Sequence, residues 1–114
     1  MTGSSPLYCQ IVSAKAKAQE MRLLVLLYAH PGREAALRAF EDRALAVLKD
    51  YGSVERHHSP AVLGAAPDVV PDEVHLLDFD DEGGFEHYRN DPRTQALIPE
   101  RASSIRESIV LRLA

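Results

Sequence analysis

Five histidines, four tyrosines and seventeen carboxylates carry the acid–base chemistry open to this 114-residue chain. Imidazole titrates near neutral pH, so the histidines are the first candidates for moving a proton. His75 interrupts an apolar run, between Val74 and Leu76-Leu77. An ionisable group buried there must be paired or shift its pKa. Asp78 follows three residues later. In extended chain successive side chains point to opposite faces. His75, Leu77 and Phe79 therefore share one face, and Val74, Leu76, Asp78 and Asp80 the other. His75 and Asp78 cannot form a simple dyad, and each needs a partner from another strand or helix. His57 and His58 also point apart, so both cannot line one pocket; His58 is the second candidate base. Two phenols can orient a substrate: Tyr28, on a face with Leu24 and Leu26, and Tyr88, in a helical stretch. Each of these residues also has a structural reading: a hydrogen-bonded core histidine, a polar edge strand, a core tyrosine.

Other chemistries find no support. Cys9 is the only cysteine, which leaves no thiolate zinc cluster or intrachain disulfide framework. The histidines are scattered, with no H-x-H or H-E-x-x-H spacing, so no metal site is expected. Asp72, Glu73, Asp78, Asp80, Asp81, Glu82 and Glu86 form an acid-rich stretch whose spacing does not match a calcium loop. They read as a solvated helix start, favoured there by the helix dipole. No glycine-rich nucleotide loop occurs, so no nucleotide or other cofactor is expected. A net charge of −4 argues against a nucleic-acid partner. The longest apolar run, Leu23 to Ala29, is far shorter than the ~20 residues a membrane helix needs. The basic residues before it loosely resemble a signal-peptide flank, but no small-residue cleavage site follows, and a cytoplasmic location is expected.

The elements that must position these groups follow from patterning. Residues 1–20 lack an apolar stripe and read as a flexible N-terminal extension. Residues 21–114 form one domain. Leu23 to Ala29 predicts a strand buried on both faces. Pro31 is placed to open a helix. Leu37, Phe40, Ala44, Leu48 and Tyr51 then recur at helical spacing, with Arg38, Glu41, Asp42, Arg43 and Lys49 in between, and Gly52 reads as a left-handed C-cap. Ser53 to Ser59 alternates but is polar, as an edge strand does. Residues 60–72, with three prolines, predict a wide hairpin loop. Val74 to Phe79 is a third strand, Asp80 to Asn90 a helix, Thr94 to Ser104 a further helical stretch, and Ser108 to Leu113 the last strand. The order β-α-β-β-α-β predicts an α+β, ferredoxin-like domain: a four-stranded antiparallel sheet with two main helices on one face. The first and third strands, the most apolar, would be central.

Residues 88–101, Tyr88-Arg-Asn-Asp-Pro-Arg-Thr-Gln-Ala-Leu-Ile-Pro-Glu-Arg101, resemble the Y-x-S-P-E-Y-Q-A-x-x-P-x-R stretch of domain-of-unknown-function family 1330. Asp91 and Thr94 stand where that pattern has Ser and Tyr. The family belongs to the dimeric α+β barrel superfamily, and the resemblance implies a homodimer whose two sheets face each other. Distant relatives include cofactor-free monooxygenases, lactone isomerases, polyketide cyclases, YciI-like proteins and haem enzymes. The haem-degrading branch typically uses a tryptophan, which this chain lacks.

Two functions follow as expectations. One is a small-molecule-binding dimer acting as a cofactor-independent enzyme of isomerase, cyclase, dehydratase or monooxygenase type. His75 or His58 would be its base, Asp78 an orienting or acting carboxylate, and Tyr28 or Tyr88 the substrate anchor. The other is a non-catalytic dimerisation or ligand-sensing module. An enclosed cavity with convergent polar groups separates them.

Overall fold

A computed structural model describes residues 20–58, 60, 66 and 69–113. The expected N-terminal extension, apart from Glu20, and most of the expected 60–72 loop lie outside the described residues.

Strand β1 runs Met21–Ala29 and helix α1 Glu34–Leu48. Strands β2 (Gly52–His58) and β3 (Glu73–Phe79) follow. Three helices come next: α2 (Glu82–Asn90), α3 (Pro92–Ala96) and α4 (Ile98–Ser104), and β4 (Ile105–Leu113) closes the chain. The antiparallel sheet has the order β2-β3-β1-β4, with the two apolar strands central, as expected of a ferredoxin-like fold.

The core forms where the inner sheet face meets α1. Leu23, Val25, Leu27, Leu77 and Phe79 pack against Leu37, Phe40, Ala44 and Leu48. Each large side chain so buried stabilises the fold by about 1.5–3 kcal/mol. The helix is built on that stripe, and it ends after about four turns, at Leu48 rather than at Gly52. Gly52 is not a left-handed cap. It opens β2, and it is glycine because a Cβ there would collide with the Asp78 carbonyl oxygen and stand 2.7 Å from the Phe79 ring. Gly32, with φ of 77°, does lie in the left-handed region, in the turn that Pro31 enters. Helix α1 therefore starts at Glu34, beyond Pro31. At α2 the expected acidic start holds, since Asp81 accepts a hydrogen bond from the Gly84 N–H at 3.1 Å. The stretch after Asn90 is two short helices, with Asp91 capping the first of them through the Arg93 N–H at 2.7 Å.

The apolar run of β1 is buried by helices on its inner face only. On the outer face Leu24 and Leu26 are half-buried, and the register sets Leu24 beside Leu76 on β3 and Leu111 on β4. Leu111 and Leu113 are 47% and 37% exposed there.

Candidate functional site

Alternation along β3 puts Glu73, His75, Leu77 and Phe79 on the buried inner face. His75 Nε2 lies 2.7 Å from Glu73 Oε1. Its partner is therefore two residues back on its own strand, not on another element. Glu73 is 1% exposed, which corrects its expected place in a solvated acidic helix start. The β2 residue opposite His75, Arg56, holds this carboxylate with two hydrogen bonds. Nε donates to Oε1 at 3.0 Å and Nη2 donates to Oε2 at 2.9 Å. Arg56 Nη1 also donates to Asp42 on α1 at 2.6 Å. Burial pushes the Glu73 pKa up, but the hydrogen bonds from His75 and Arg56 outweigh it and leave the carboxyl below its usual range. An ionised Glu73 accepts the Nε2 proton of His75, which in the neutral ring leaves Nδ1 as the basic nitrogen. Among the described residues no group hydrogen-bonds to Nδ1.

A cavity of about 430 Å³ lies between the inner sheet face and the helices, within the ~300–1,000 Å³ span of small-molecule sites. Leu23, Val25, Leu77 and Phe40 make an apolar wall, and His75 opens onto it. Glu41, Tyr88, Thr94 and Arg101 add polar groups from α1, α2, α3 and α4. Glu41 is 6% exposed. Burial, then repulsion from Glu73, raises its pKa to about 8, so the carboxyl is mostly protonated at neutral pH. Burial and the neighbouring Glu41 likewise raise the Tyr88 phenol to about 12. The Thr94 hydroxyl is buried and has no hydrogen-bond partner among the described residues.

The expected site residues are thus divided by the sheet. His75 and Tyr88 line the cavity. His58 shares the inner face but sits behind it, half exposed, with Nε2 3.8 Å from Glu73 Oε2. Asp78 is on the outer face, paired with Arg22 Nε at 2.7 Å. Tyr28 is also on the outer face, where its hydroxyl donates to the Val69 carbonyl at 3.0 Å and Arg106 lies over its ring.

The charge of Glu41 suggests a solvated position on α1, and the structure corrects this. Its spacing carries the opposite signal: positions 37, 41, 44 and 48 are i, i+4, i+7 and i+11 of one helical face. Glu73 has an equal signal, since it shares the parity of His75. Thr94 and Arg101 carry no periodic signal, because two short helices with no apolar stripe set their direction; the sequence marks them through their place in the 88–101 stretch.

No family model and no curated protein matches this sequence. Solved structures do match. A protein of unknown function from Rhodopseudomonas palustris aligns over 90% of this chain and 89% of its own, at TM-score 0.70 and 20% identity. A DABB family protein with a ferredoxin-like fold from Mesorhizobium loti covers 83% of this chain and 95% of its own, at TM-score 0.62 and 14% identity. A dimeric ferredoxin-like protein of unknown function from Thermobifida fusca covers 83% and 90%, at TM-score 0.59 and 20% identity. These likenesses establish the ferredoxin-like fold. Among the described residues no helix is long and apolar enough to cross a membrane, and no cluster of three metal-ligating side chains occurs.

Proposed function

We propose that the protein binds a small, partly apolar molecule in the cavity beneath α1 and catalyses a proton transfer on it, as an isomerase, cyclase or dehydratase does. The observation that carries this reading is one apolar cavity holding two acid–base groups with opposed environments. His75, backed by the Glu73 carboxylate, offers a basic Nδ1. Glu41, kept protonated by burial, offers an acid. Pairs of titratable groups whose surroundings separate their roles are what acid–base catalysis requires. His75 takes a proton from carbon next to a substrate carbonyl, Glu41 donates to the carbonyl oxygen, and the Tyr88 hydroxyl orients that oxygen.

On this reading the protein is a homodimer. The outer face carries an apolar stripe from Leu76 through Leu24 to Leu111 that nothing in the single chain covers among the described residues. A second copy of that face buries it, as the dimeric neighbour supports. The resemblance of residues 88–101 to family 1330 agrees with this assembly.

Deuterium exchange into 4-phenyl-2-butanone, an enolisable aryl ketone, tests the reaction. The protein accelerates exchange at the carbons beside the carbonyl, and His75→Gln lowers that acceleration by about 10²–10⁴-fold. A protein that binds the ketone without accelerating exchange is a ligand-sensing module instead.

A further inference from the structure

We propose that the ligand of this cavity is an anion, an apolar body bearing a carboxylate that Arg101 reads. The inference rests on the cavity being a ligand site and adds the chemical class. Five charged or chargeable groups are among the lining residues, and of these the Tyr88 phenol, raised to about 12, stays neutral. Arg89 pairs with Glu86 at 3.4 Å and lies over the Phe85 ring. His75 shares its Nε2 proton with Glu73. Glu41 is buried in the same lining. Arg101 is exposed at the rim, and its Nη2 donates to the neutral Ser108 hydroxyl at 3.1 Å. Among the described residues no carboxylate lies within ion-pairing distance of it. Arg101 is thus a lining guanidinium with no carboxylate partner among the described residues, with donors to spare for a planar bidentate acceptor.

The Thr94 hydroxyl is an independent sign. It is buried in the same cavity wall without a partner among the described residues. A buried hydroxyl left unsatisfied carries its full desolvation cost, which a bound acceptor removes. Leu45, Leu48 and Leu97 add apolar surface to the same lining. A ligand with an anionic group and an apolar body therefore meets matching chemistry in this lining.

Glu41 makes the preference depend on pH. The groups that act on it are Glu73 from β3, Arg56 from β2, Arg101 from α4 and Asp42 from α1, and Tyr88 of α2 senses its charge. Protonated, it leaves Arg101 as the dominant charge. Ionised, it competes with the ligand for that cation.

The test compares 3-phenylpropanoate with its neutral isostere 3-phenylpropanamide by NMR titration of the full chain at pH 6.5. The carboxylate binds at least tenfold more tightly than the amide. Arg101→Gln abolishes that ratio while amide binding persists, and Arg101→Lys keeps part of it. At pH 9 the ratio collapses in the wild type and survives in Glu41→Gln. Equal binding of the two probes by the wild type, or a ratio unchanged in Arg101→Gln, overturns the anion assignment and leaves the cavity a ligand site. Binding of neither probe overturns both readings.

Discussion

His75 Nε2 and Glu73 Oε1 stand 2.7 Å apart on one strand, two residues and one pleat from each other. An antiparallel strand makes such a pair without help from any turn, because residues i and i+2 share a face. Arg56, opposite His75 in the register, then closes the carboxylate from the edge strand. Three residues on two neighbouring strands thus orient one imidazole toward the cavity.

Removing the base tests that orientation. His75→Gln keeps a donor for Glu73 and a comparable volume, so its melting temperature stays within a few degrees of wild type. Its proton-transfer rate falls by about 10²–10⁴-fold because Gln takes up no proton. Thermal denaturation beside the exchange assay separates the two effects. A His75→Gln protein that retains the full rate removes His75 from the reaction.

Glu73→Gln acts through stability. The native pKa is below the unfolded one, so this carboxylate's contribution is present above about pH 4.5 and is lost as pH falls through the native value. Glu73→Gln loses its charge-assisted bonds to Arg56, a cost on the order of 1–3 kcal/mol at pH 7. The difference from wild type shrinks in acid. Urea unfolding at pH 7 and pH 3 checks this, and an equal difference at both pH values contradicts it.

Glu41 has the opposite sign. Its native pKa of about 8 lies above the unfolded value of 4.5, so the native state holds the proton more strongly. The stability this group contributes is complete below pH 4.5 and is lost as pH rises from 4.5 to 8. The slope across that window is roughly 1.36 kcal/mol per pH unit. Glu41→Gln, neutral throughout, matches wild type near pH 5 and exceeds it by a few kcal/mol at pH 9. Melting curves at the two pH values decide it, and a variant no more stable at pH 9 refutes the buried acid.

Gly52→Ala has a steric outcome. The added Cβ meets backbone on one side, the Asp78 carbonyl, and the buried Phe79 ring on the other. Neither can move freely, and overpacking of this kind costs about 1–3 kcal/mol. A drop of several degrees in melting temperature is expected, and an unchanged midpoint would mean that β2 can shift away from Phe79.

The outer face predicts assembly. Leu24→Glu sets a charge in the middle of the stripe formed with Leu76 and Leu111 and, on the proposed dimer, yields a monomer in light scattering. An undiminished dimer mass moves the interface elsewhere.

Strand and helix order, the central place of β1 and β3 and the face that His75 shares with Leu77 and Phe79 are legible in the chain, because period two and period 3.6 are local properties. Glu41 and Glu73 obey the same periods, yet charge hides them: a carboxylate reads as solvated until a partner or a raised pKa shows why it can be buried. In one dimension Tyr28, Asp78, His75 and Tyr88 are all candidates, and alternation separates His75 from Asp78 without saying which face meets the cavity. Only the three-dimensional fold, by putting helices on one side of the sheet, sends the first two to the outer face and the last two to the cavity. The direction of Thr94 and Arg101 also depends on it. Their direction comes from two short helices with no stripe of their own, held by Asp91, which accepts from the Tyr51 hydroxyl at 2.6 Å across 40 residues of chain. Local patterning sets which face a residue occupies, and long-range packing decides what that face meets.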